Sequence, residues 1–382
     1  MHRTKEGTMS KTRNTEPDTL HIRGALLPDG EQRDLFVQGG RFTFEGTEDA
    51  RTILGDGFLL PGLVDVHTHL PFHSPAPEGA SWDEASLASA RLELESGVLA
   101  LRDPGAPAPT GIGPSVGLPR TFTAGRFLAA RGHMFPEHGQ VEVTDEELPD
   151  AAEEQFRASG SWVKVIGDFP IPGQGFDPAF ATDALAAAVR RVHDLGGRLA
   201  VHAIMAETID RAVEAGADSI EHGLMIQPEQ ASELARRGGV LTPTMISTPG
   251  WLPGVLHQMG VPGDEIGRIA EAVERHGDIV RAAWESGVTV LAGTDAAIVA
   301  HGLVREEIRL LADAGLPMEE ALGAGSWKAR SFLGLPGVEE GAPADVVAYA
   351  RNPLEDPTAL AEPMLIMLDG RIVRSRGLVT AE

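Results

Sequence analysis

The chain has 382 residues and a formal net charge of −24, from 56 acidic and 32 basic side chains. This balance argues against nucleic-acid binding, because a phosphate backbone requires a basic surface. Cysteine is absent, which excludes disulfides and thiolate metal sites and leaves His and carboxylate groups as the main candidate metal ligands. The length suits one (β/α)8 barrel of about 250 residues together with a smaller domain.

The N-terminal segment, residues 1–17, is polar and rich in turn-forming residues, so we expect it to be disordered. It has no apolar stretch of the kind found in signal peptides. No window in the chain approaches about 18 uninterrupted apolar residues, so no membrane span is predicted. These features predict a cytoplasmic protein with neither a nucleic-acid nor a membrane partner.

Short β-strands are predicted at both ends of the remaining chain. Residues 18–60 contain LHIRGALL, DLFVQGG and RFTFEG, and residues 336–382 contain DVVAYA, LIMLDG and RIVRSRG. The β-forming residues in these runs are separated by turn residues such as Gly and Asp. Neither segment alone could bury one face of a sheet. We therefore predict that the two segments pair to form one small β-sandwich.

The central region, residues 61–335, alternates between strand and helix patterns. Its strand candidates are near-continuous apolar runs, which are typical of a parallel sheet covered on both faces. The eight runs are FLLPGLVDV, GVLALRD, RTFTAGRF, SWVKVIG, GRLAVHA, ADSIEH, GVLTPTM and GVTVLAGTD. Because each run is followed by a helical pattern, we predict an α/β fold in which the strands close into a (β/α)8 TIM-like barrel.

Polar side chains lie in or at the carboxyl ends of these strands, where a (β/α)8 barrel places its active site. His67 and His69 are two residues apart in an extended segment, so both imidazoles can point to one metal ion. The other side chains of this kind are Lys164, His202, His222 and Asp295. Each alone has a structural explanation, as a hydrogen-bonded His, a Lys paired with a carboxylate, or an Asp that caps a helix. Their common position at one end of the barrel favours a metal site.

Four motifs, in the order PGLVDVHTH, WVKVIGD, VHAIMAETIDRAVEAGADSIEHG and LAGTDAAIVAHG, resemble the amidohydrolase superfamily. The resemblance is strongest to the branch that includes imidazolonepropionase-like proteins and Xaa-Pro dipeptidases, and it covers nearly the whole chain after about residue 20. It implies that His67, His69 and Asp295 bind one divalent metal ion and that His202 and His222 bind a second. It further implies that a carbamate, formed on Lys164 by CO2, bridges the two ions.

The function implied by this resemblance is hydrolysis of an amide C–N bond in a small molecule by a metal-bridged hydroxide, with Asp295 as general base and acid. The expected substrate is an N-acyl amino acid, a dipeptide such as Xaa-Pro, or a cyclic amide. Zn²⁺ is the expected metal, with Mn, Fe or Co as alternatives. A homo-oligomer is possible.

Three other functions compete with this one. A mononuclear aminohydrolase would deaminate or dehalogenate a heterocycle without needing Lys164, but Met205 stands where such enzymes typically carry a Glu. Hydrolysis of a lactone, carbamate or organophosphate would use the same hydroxide. A non-catalytic barrel is the third reading, and the retention of all six candidate ligands argues against it.

Further residues are candidates for substrate contacts. His133, in the loop after the third strand, resembles a position that hydrogen-bonds substrate in related enzymes, and it is also a candidate catalytic residue. The weaker candidates are His138, Thr244 and His301. Arg102 and Asp103 are expected to form an ion pair within their own loop. Dipeptidase-like relatives often use a Tyr near the seventh strand, and this chain's single Tyr, Tyr349, lies in the predicted sandwich.

Overall fold

A computed structural model of the protein describes residues 19–107, 111–134 and 138–376. The predicted disorder of residues 1–17 therefore lies outside the described residues. So do the last six residues of the predicted second sandwich segment, 377–382. The domain boundaries predicted after residues 60 and 335 stay predictions.

Strands and helices alternate through most of the described chain. The strands are β1 (Thr19–Leu26), β2 (Glu31–Gln38), β3 (Arg41–Thr43), β4 (Arg51–Leu54), β5 (Phe58–Leu60), β6 (Leu63–Asp65), β7 (Val98–Asp103), β8 (Arg120–Thr123), β9 (Leu128–Ala129), β10 (Val141–Glu142), β11 (Trp162–Ile166), β12 (Arg198–Ala203), β13 (Ser219–His222), β14 (Val240–Thr242), β15 (Thr289–Val290), β16 (Val346–Tyr349), β17 (Leu365–Leu368) and β18 (Arg371–Ser375). The helices are α1 (Trp82–Glu95), α2 (Leu148–Ser159), α3 (Thr182–Asp194), α4 (Ala206–Ala215), α5 (Pro228–Arg236), α6 (Thr248–Gln258), α7 (Gly263–Glu274), α8 (His276–Glu285), α9 (Val304–Asp313), α10 (Met318–Ala324) and α11 (Trp327–Phe332). Among the described helices, none combines the length and the apolar character needed to cross a membrane.

The two ends of the chain share one eight-stranded sheet, as predicted. Its order is β18-β17-β16-β5-β1-β2-β3, with β4 also paired to β1. The junction between the two segments is the antiparallel pair β5 and β16, in which Leu59 is opposite Ala348. Side chains from both segments, including Ile22, Phe42 and Met367, are buried in one cluster. The two segments thus supply the apolar face that neither could bury alone.

The parallel strands of the central region form two sheets whose edges meet. The orders are β6-β7-β8 and β10-β9-β11-β12-β13-β14-β15. The segment after β15 joins the segment after β6, since Val66 N donates to Ala292 O at 3.0 Å and His69 N donates to Ala296 O at 2.8 Å. This arrangement is that of a TIM-like barrel, so the predicted α/β fold class is confirmed.

The third predicted strand, RTFTAGRF at residues 120–127, is only partly formed, because β8 ends at Thr123 and β9 begins beyond the predicted run at Leu128. Gly125 lies between the two pieces with φ +71°, a left-handed conformation that interrupts extended backbone. The second piece, β9, then pairs with β11 through Leu128 and Ala129. β8 and β9 therefore belong to different sheets, and residues 124–127 connect them.

Side-chain alternation along the strands carries the candidate site residues to one end of the barrel. Trp162 and Ala200 belong to a buried cluster to which several barrel strands contribute. Lys164 and His202 lie two residues further along β11 and β12, so each points to the same side as Trp162 and Ala200, one layer nearer the strand ends. The cluster thus forms the floor beneath the candidate site.

Candidate metal centre

Three predicted ligands converge on one point, which we call the first position. His67 Nε2 lies 3.3 Å from His69 Nε2 and 3.4 Å from Asp295 Oδ1, and His69 Nε2 lies 3.3 Å from the same oxygen. Atoms bound to one tetrahedral ion at bond lengths near 2.1 Å are separated by about 3.4 Å. The spacing of these three atoms therefore fits shared coordination of a single ion.

The other three predicted ligands, Lys164, His202 and His222, adjoin the first and form what we call the second position. The His222 ring centroid lies 5.1 Å from that of His67 and 4.4 Å from that of His202. Lys164 Nζ and His202 Nε2 are buried and have no hydrogen-bond partner in the described part of the chain. A buried polar atom without a partner is costly. The two atoms thus fit a site completed by a group that the protein itself does not supply.

Hydrogen bonds on the far side of each ring orient the ligands. His67 Nδ1 donates to Glu221 Oε2 at 2.5 Å, and His69 Nδ1 donates to Gly105 O at 2.8 Å. Because these partners only accept, Nδ1 carries the proton in both rings and Nε2 presents its lone pair to the first position. This is the tautomer that a metal-binding imidazole requires.

Sequence reasoning missed Glu221, which lies next to His222 in β13. Arg102 Nη2 donates to both Glu221 oxygens, at 2.7 and 2.8 Å, and Arg102 Nε donates to Val66 O at 2.6 Å. The predicted ion pair of Arg102 with Asp103 is therefore wrong, because the guanidinium turns inward to Glu221. One signal was available in the sequence: a Glu and an Arg, each inside an apolar strand, require a buried partner.

Burial sets the protonation of the site. It lowers the pKa of His67 to about 4 and that of His202 to about 3, and the nearby Lys164 ammonium contributes in the same direction. Burial also lowers the pKa of Lys164 to about 8. Burial opposes ionisation of Asp295, but its contacts with the imidazoles of His67, His69 and His222 hold the pKa of its carboxyl below the usual range. Neutral imidazoles and an ionised carboxylate are the forms that bind a metal.

Backbone strain is concentrated around the site. His222, Thr244 and Asp295 have φ values of 68°, 49° and 53°, in the left-handed region that non-glycine residues seldom adopt. Each follows or ends a neighbouring strand, β13, β14 or β15. Such conformations cost about 1–3 kcal/mol each and persist where the surrounding structure enforces them. The fold thus holds these side chains in place at an energetic cost.

All six predicted ligands line one cavity of about 80 Å³. None of the six is more than 7% exposed, so the cavity floor is shielded from bulk water. The remaining wall is mostly apolar and includes Phe72, Phe127 and Phe169. The arrangement can therefore hold cations at the bottom of a largely apolar cavity.

The other candidate residues are distributed differently. His138 lines the cavity, where its ring centroid lies 4.8 Å from that of Phe72. Thr244 contacts a ligand instead, since its hydroxyl lies 2.8 Å from His222 Nδ1. His133 is buried but is not among the cavity-lining residues. His301 is also outside the cavity and forms a buried cross-link, with Nδ1 3.2 Å from Glu93 Oε1.

Comparisons with known proteins agree with this site. Residues 58–373 match the Amidohydrolase family. An uncharacterized protein of Mycobacterium tuberculosis is 37% identical over 357 residues, which cover 92% of this chain and 95% of that protein. The ochratoxinase of Aspergillus niger is 25% identical over 358 residues, which cover 81% of this chain and 73% of that enzyme.

A solved structure has the same fold. The crystal structure of a Xaa-Pro dipeptidase with bound methionine superposes with a TM-score of 0.79 at 23% identity, covering 94% of this chain and 100% of that one. The Amidohydrolase match spans most of the chain. The chain therefore belongs to the amidohydrolase family and is a hydrolase that acts on carbon–nitrogen bonds.

Proposed function

We propose that the protein is a binuclear metal-dependent hydrolase that cleaves an amide bond in a small molecule. The observation that carries this proposal is the pair of buried atoms without partners, Lys164 Nζ and His202 Nε2, beside a set of three mutually close ligand atoms. His67, His69 and Asp295 would hold one ion. The second would be held by His202 and His222, and Zn²⁺ suits these ligands, with Mn, Fe or Co as alternatives.

Lys164 has the properties needed to bridge the two positions. Burial favours its neutral amine, which can add to the carbon of CO2 and release one proton to solvent. The resulting carbamate is anionic and has two oxygens, one for each position. An unmodified ammonium would instead repel both cations.

Asp295 is the proposed proton carrier. Bound divalent ions would supply the reactive chemistry, because they lower the pKa of water towards about 7 and polarise a carbonyl. The Asp295 carboxylate, held ionised next to both imidazoles of the first position, accepts a proton from the attacking water. As the C–N bond breaks, it returns that proton to the leaving nitrogen. Of the proposed substrate contacts, His138 is supported by its place in the cavity wall, whereas His133 does not line the cavity.

Two relatives with known reactions support an amide substrate, by their names an ochratoxinase and a Xaa-Pro dipeptidase. The mononuclear deaminase alternative has less support, because Met205 packs into an apolar cluster and offers no carboxylate at the expected position. A lactone, carbamate or organophosphate substrate would use the same groups. A cytoplasmic location and homo-oligomerisation stay predictions.

The test is metal analysis of the purified protein together with ¹³C NMR after equilibration with ¹³C-bicarbonate. We expect two equivalents of metal and a carbamate resonance in the parent protein. Lys164→Ala should lose the resonance and one equivalent of metal, with partial recovery of metal in added acetate. Lys328→Ala is the matched control, because Lys328 lies on α11 and pairs with Glu320 outside the cavity. One equivalent in the parent, or two in Lys164→Ala without acetate, would contradict the binuclear proposal.

A further inference from the structure

We propose that the cavity selects a neutral, apolar amide and discriminates against substrates with a carboxylate next to the scissile bond. This inference rests on the proposed amide hydrolysis and names its substrate class. It would separate this chain from an enzyme for free dipeptides or N-acyl amino acids, whose substrates carry a carboxylate at that place. The argument depends on the charges available around the cavity.

The wall above the ligands is apolar. Six hydrophobic side chains form most of it: Phe72, Phe127, Met134, Ile166, Phe169 and Ile298. His138 is the polar lining side chain outside the ligand set, and its ring packs against Phe72. Aromatic and aliphatic walls bind apolar groups by excluding water, and they offer nothing to a charged group.

No arginine lines the cavity in the described part of the chain, and its single lysine, Lys164, belongs to the ligand set. Arg102 lies on the barrel strand β7, but it is fully buried and its guanidinium is hydrogen-bonded to Glu221 and to Val66 O. The internal segments outside the described residues, 108–110 and 135–137, contain no Lys, Arg or His. Among the described residues that line the cavity, a substrate carboxylate would therefore meet no arginine, and no lysine outside the ligand set.

Two loop arginines close in sequence to the lining residues are engaged elsewhere. Arg126 donates to Gly139 O at 2.6 Å and to Gln140 O at 2.9 Å, which ties it to the following loop. Arg131 is 93% exposed and lies 3.7 Å from Glu142. The whole chain also carries a net charge of −24, so the electrostatic field of the protein itself disfavours an anionic substrate. Desolvating a carboxylate without a partner is unfavourable, whereas a neutral apolar group gains from the same burial.

A matched pair of amides tests the proposal directly. N-benzoyl-2-phenylethylamine and N-benzoyl-L-phenylalanine differ only by the carboxylate next to the scissile C–N bond. With metal-loaded enzyme, we expect kcat/KM to be at least about tenfold higher for the neutral amide, as for a charge left unpaired on burial. The reverse preference would overturn the proposal.

Binding measured separately distinguishes a wrong substrate class from a wrong reaction. The two compounds are titrated calorimetrically into the metal-loaded Asp295→Asn variant, in which turnover should be slow. This substitution removes a negative charge from the site and so should favour binding of the carboxylate compound. Tighter binding of the neutral amide despite this change would therefore strongly support the proposal. Tighter binding without hydrolysis of either compound by the parent enzyme would support the substrate class and refute the proposed function. Tighter binding of the carboxylate, or binding of neither compound, would overturn the substrate class.

A charge added to the wall provides the second variant. Ile298 lines the cavity and is 37% exposed, so Ile298→Arg can be accommodated at the rim. It should reduce the preference for the neutral amide about tenfold. Ile372→Arg is the matched control, because Ile372 is also 37% exposed but lies on β18 in the sheet formed by the two ends of the chain. If Ile298→Arg kept the parental preference, the selectivity would not result from the lack of an arginine or a further lysine in the cavity wall, and this assignment would be overturned.

Discussion

The first and second positions of the metal centre differ in how far the protein itself satisfies their polar atoms. At the first position, the Nδ1 atoms of His67 and His69 donate to Glu221 and Gly105. At the second, Lys164 Nζ and His202 Nε2 have no hydrogen-bond partner among the described residues, and His202 Nε2 lies 3.7 Å from Asp168 Oδ1. The first position therefore has both imidazoles oriented before any ion binds, whereas the second combines one oriented imidazole, His222 paired with Thr244, with two polar atoms that have no partner among the described residues.

This difference has a consequence for the order of metal binding. An orienting hydrogen bond fixes a ring in its binding rotamer and tautomer, so that less freedom is lost on coordination. The first position should thus hold its ion more tightly than the second. Substitutions at each position test this difference.

The largest effect is expected for Asp295→Asn. The amide keeps the size of the side chain but cannot accept and return a proton, so kcat should fall at least about 100-fold. The metal content should be largely retained, because His67 and His69 still face the first position. Steady-state kinetics and metal analysis of the same preparation check both statements. A variant that turns over at nearly the parental rate would show that Asp295 is not the proton carrier.

Glu221→Gln should have the next largest effect, on stability as well as on metal binding. The substitution leaves the buried guanidinium of Arg102 without a counter-charge, and removing one partner of a buried pair costs about 3–5 kcal/mol. Thermal unfolding of the metal-free protein measures this loss. Ser219→Ala is the milder companion, because it removes one hydrogen bond to the same carboxylate and leaves the ion pair intact. Equal stability of Glu221→Gln and the parent would contradict the role of the pair.

Thr244→Val probes the second position. Valine keeps the β-branched shape, and with it the cost of the left-handed conformation, but it cannot hydrogen-bond to His222 Nδ1. Loss of such an orienting contact should weaken binding of the second ion about tenfold or more, with little change at the first. Chelator competition measures both affinities. Thr248→Val is the matched control, because the Thr248 hydroxyl bonds to Thr244 O and to no ligand. Equal weakening in both variants would assign the effect to the loop rather than to the contact.

The barrel and the convergence of the six candidate ligands in one cavity could be predicted because their signals are local in sequence. Apolar runs mark the strands, and a His or Asp at the end of each run marks the site, as in DVHTH and SIEH. The sheet shared by both ends of the chain followed from the same kind of argument, since each end lacked a partner.

The Glu221 and Arg102 pair could not be placed from sequence, because it joins β13 to β7 across 119 residues. Its partner choice depends on which side of each strand faces the barrel interior, and the predicted loop pairing with Asp103 ignored that geometry. His301 illustrates the same limit. Its position after the last barrel strand suggested the cavity mouth, yet its ring turns to Glu93 on α1.

The smallest effect on activity is expected for Glu307, which supports the loop that carries Thr244. Its two carboxylate oxygens accept from Met245 N and Ile246 N at 2.8 Å, and burial raises its pKa to about 8. The folded-state pKa thus exceeds the ordinary value of 4.5. The contribution of Glu307 to stability is complete below pH 4.5 and is lost as pH rises towards 8.

Glu307→Gln should flatten this pH dependence. Glutamine does not ionise, so the free energy of unfolding should fall less steeply between pH 5 and about 8 than in the parent. The slope is the measured quantity, because the amide also replaces one accepting oxygen and lowers stability at every pH. Glu306→Gln, at the neighbouring partly exposed position, should keep the parental slope. If the slopes of Glu307→Gln and the parent coincide, the buried carboxyl does not titrate in this range, and the loop at the second position is held by an ionised Glu307 throughout.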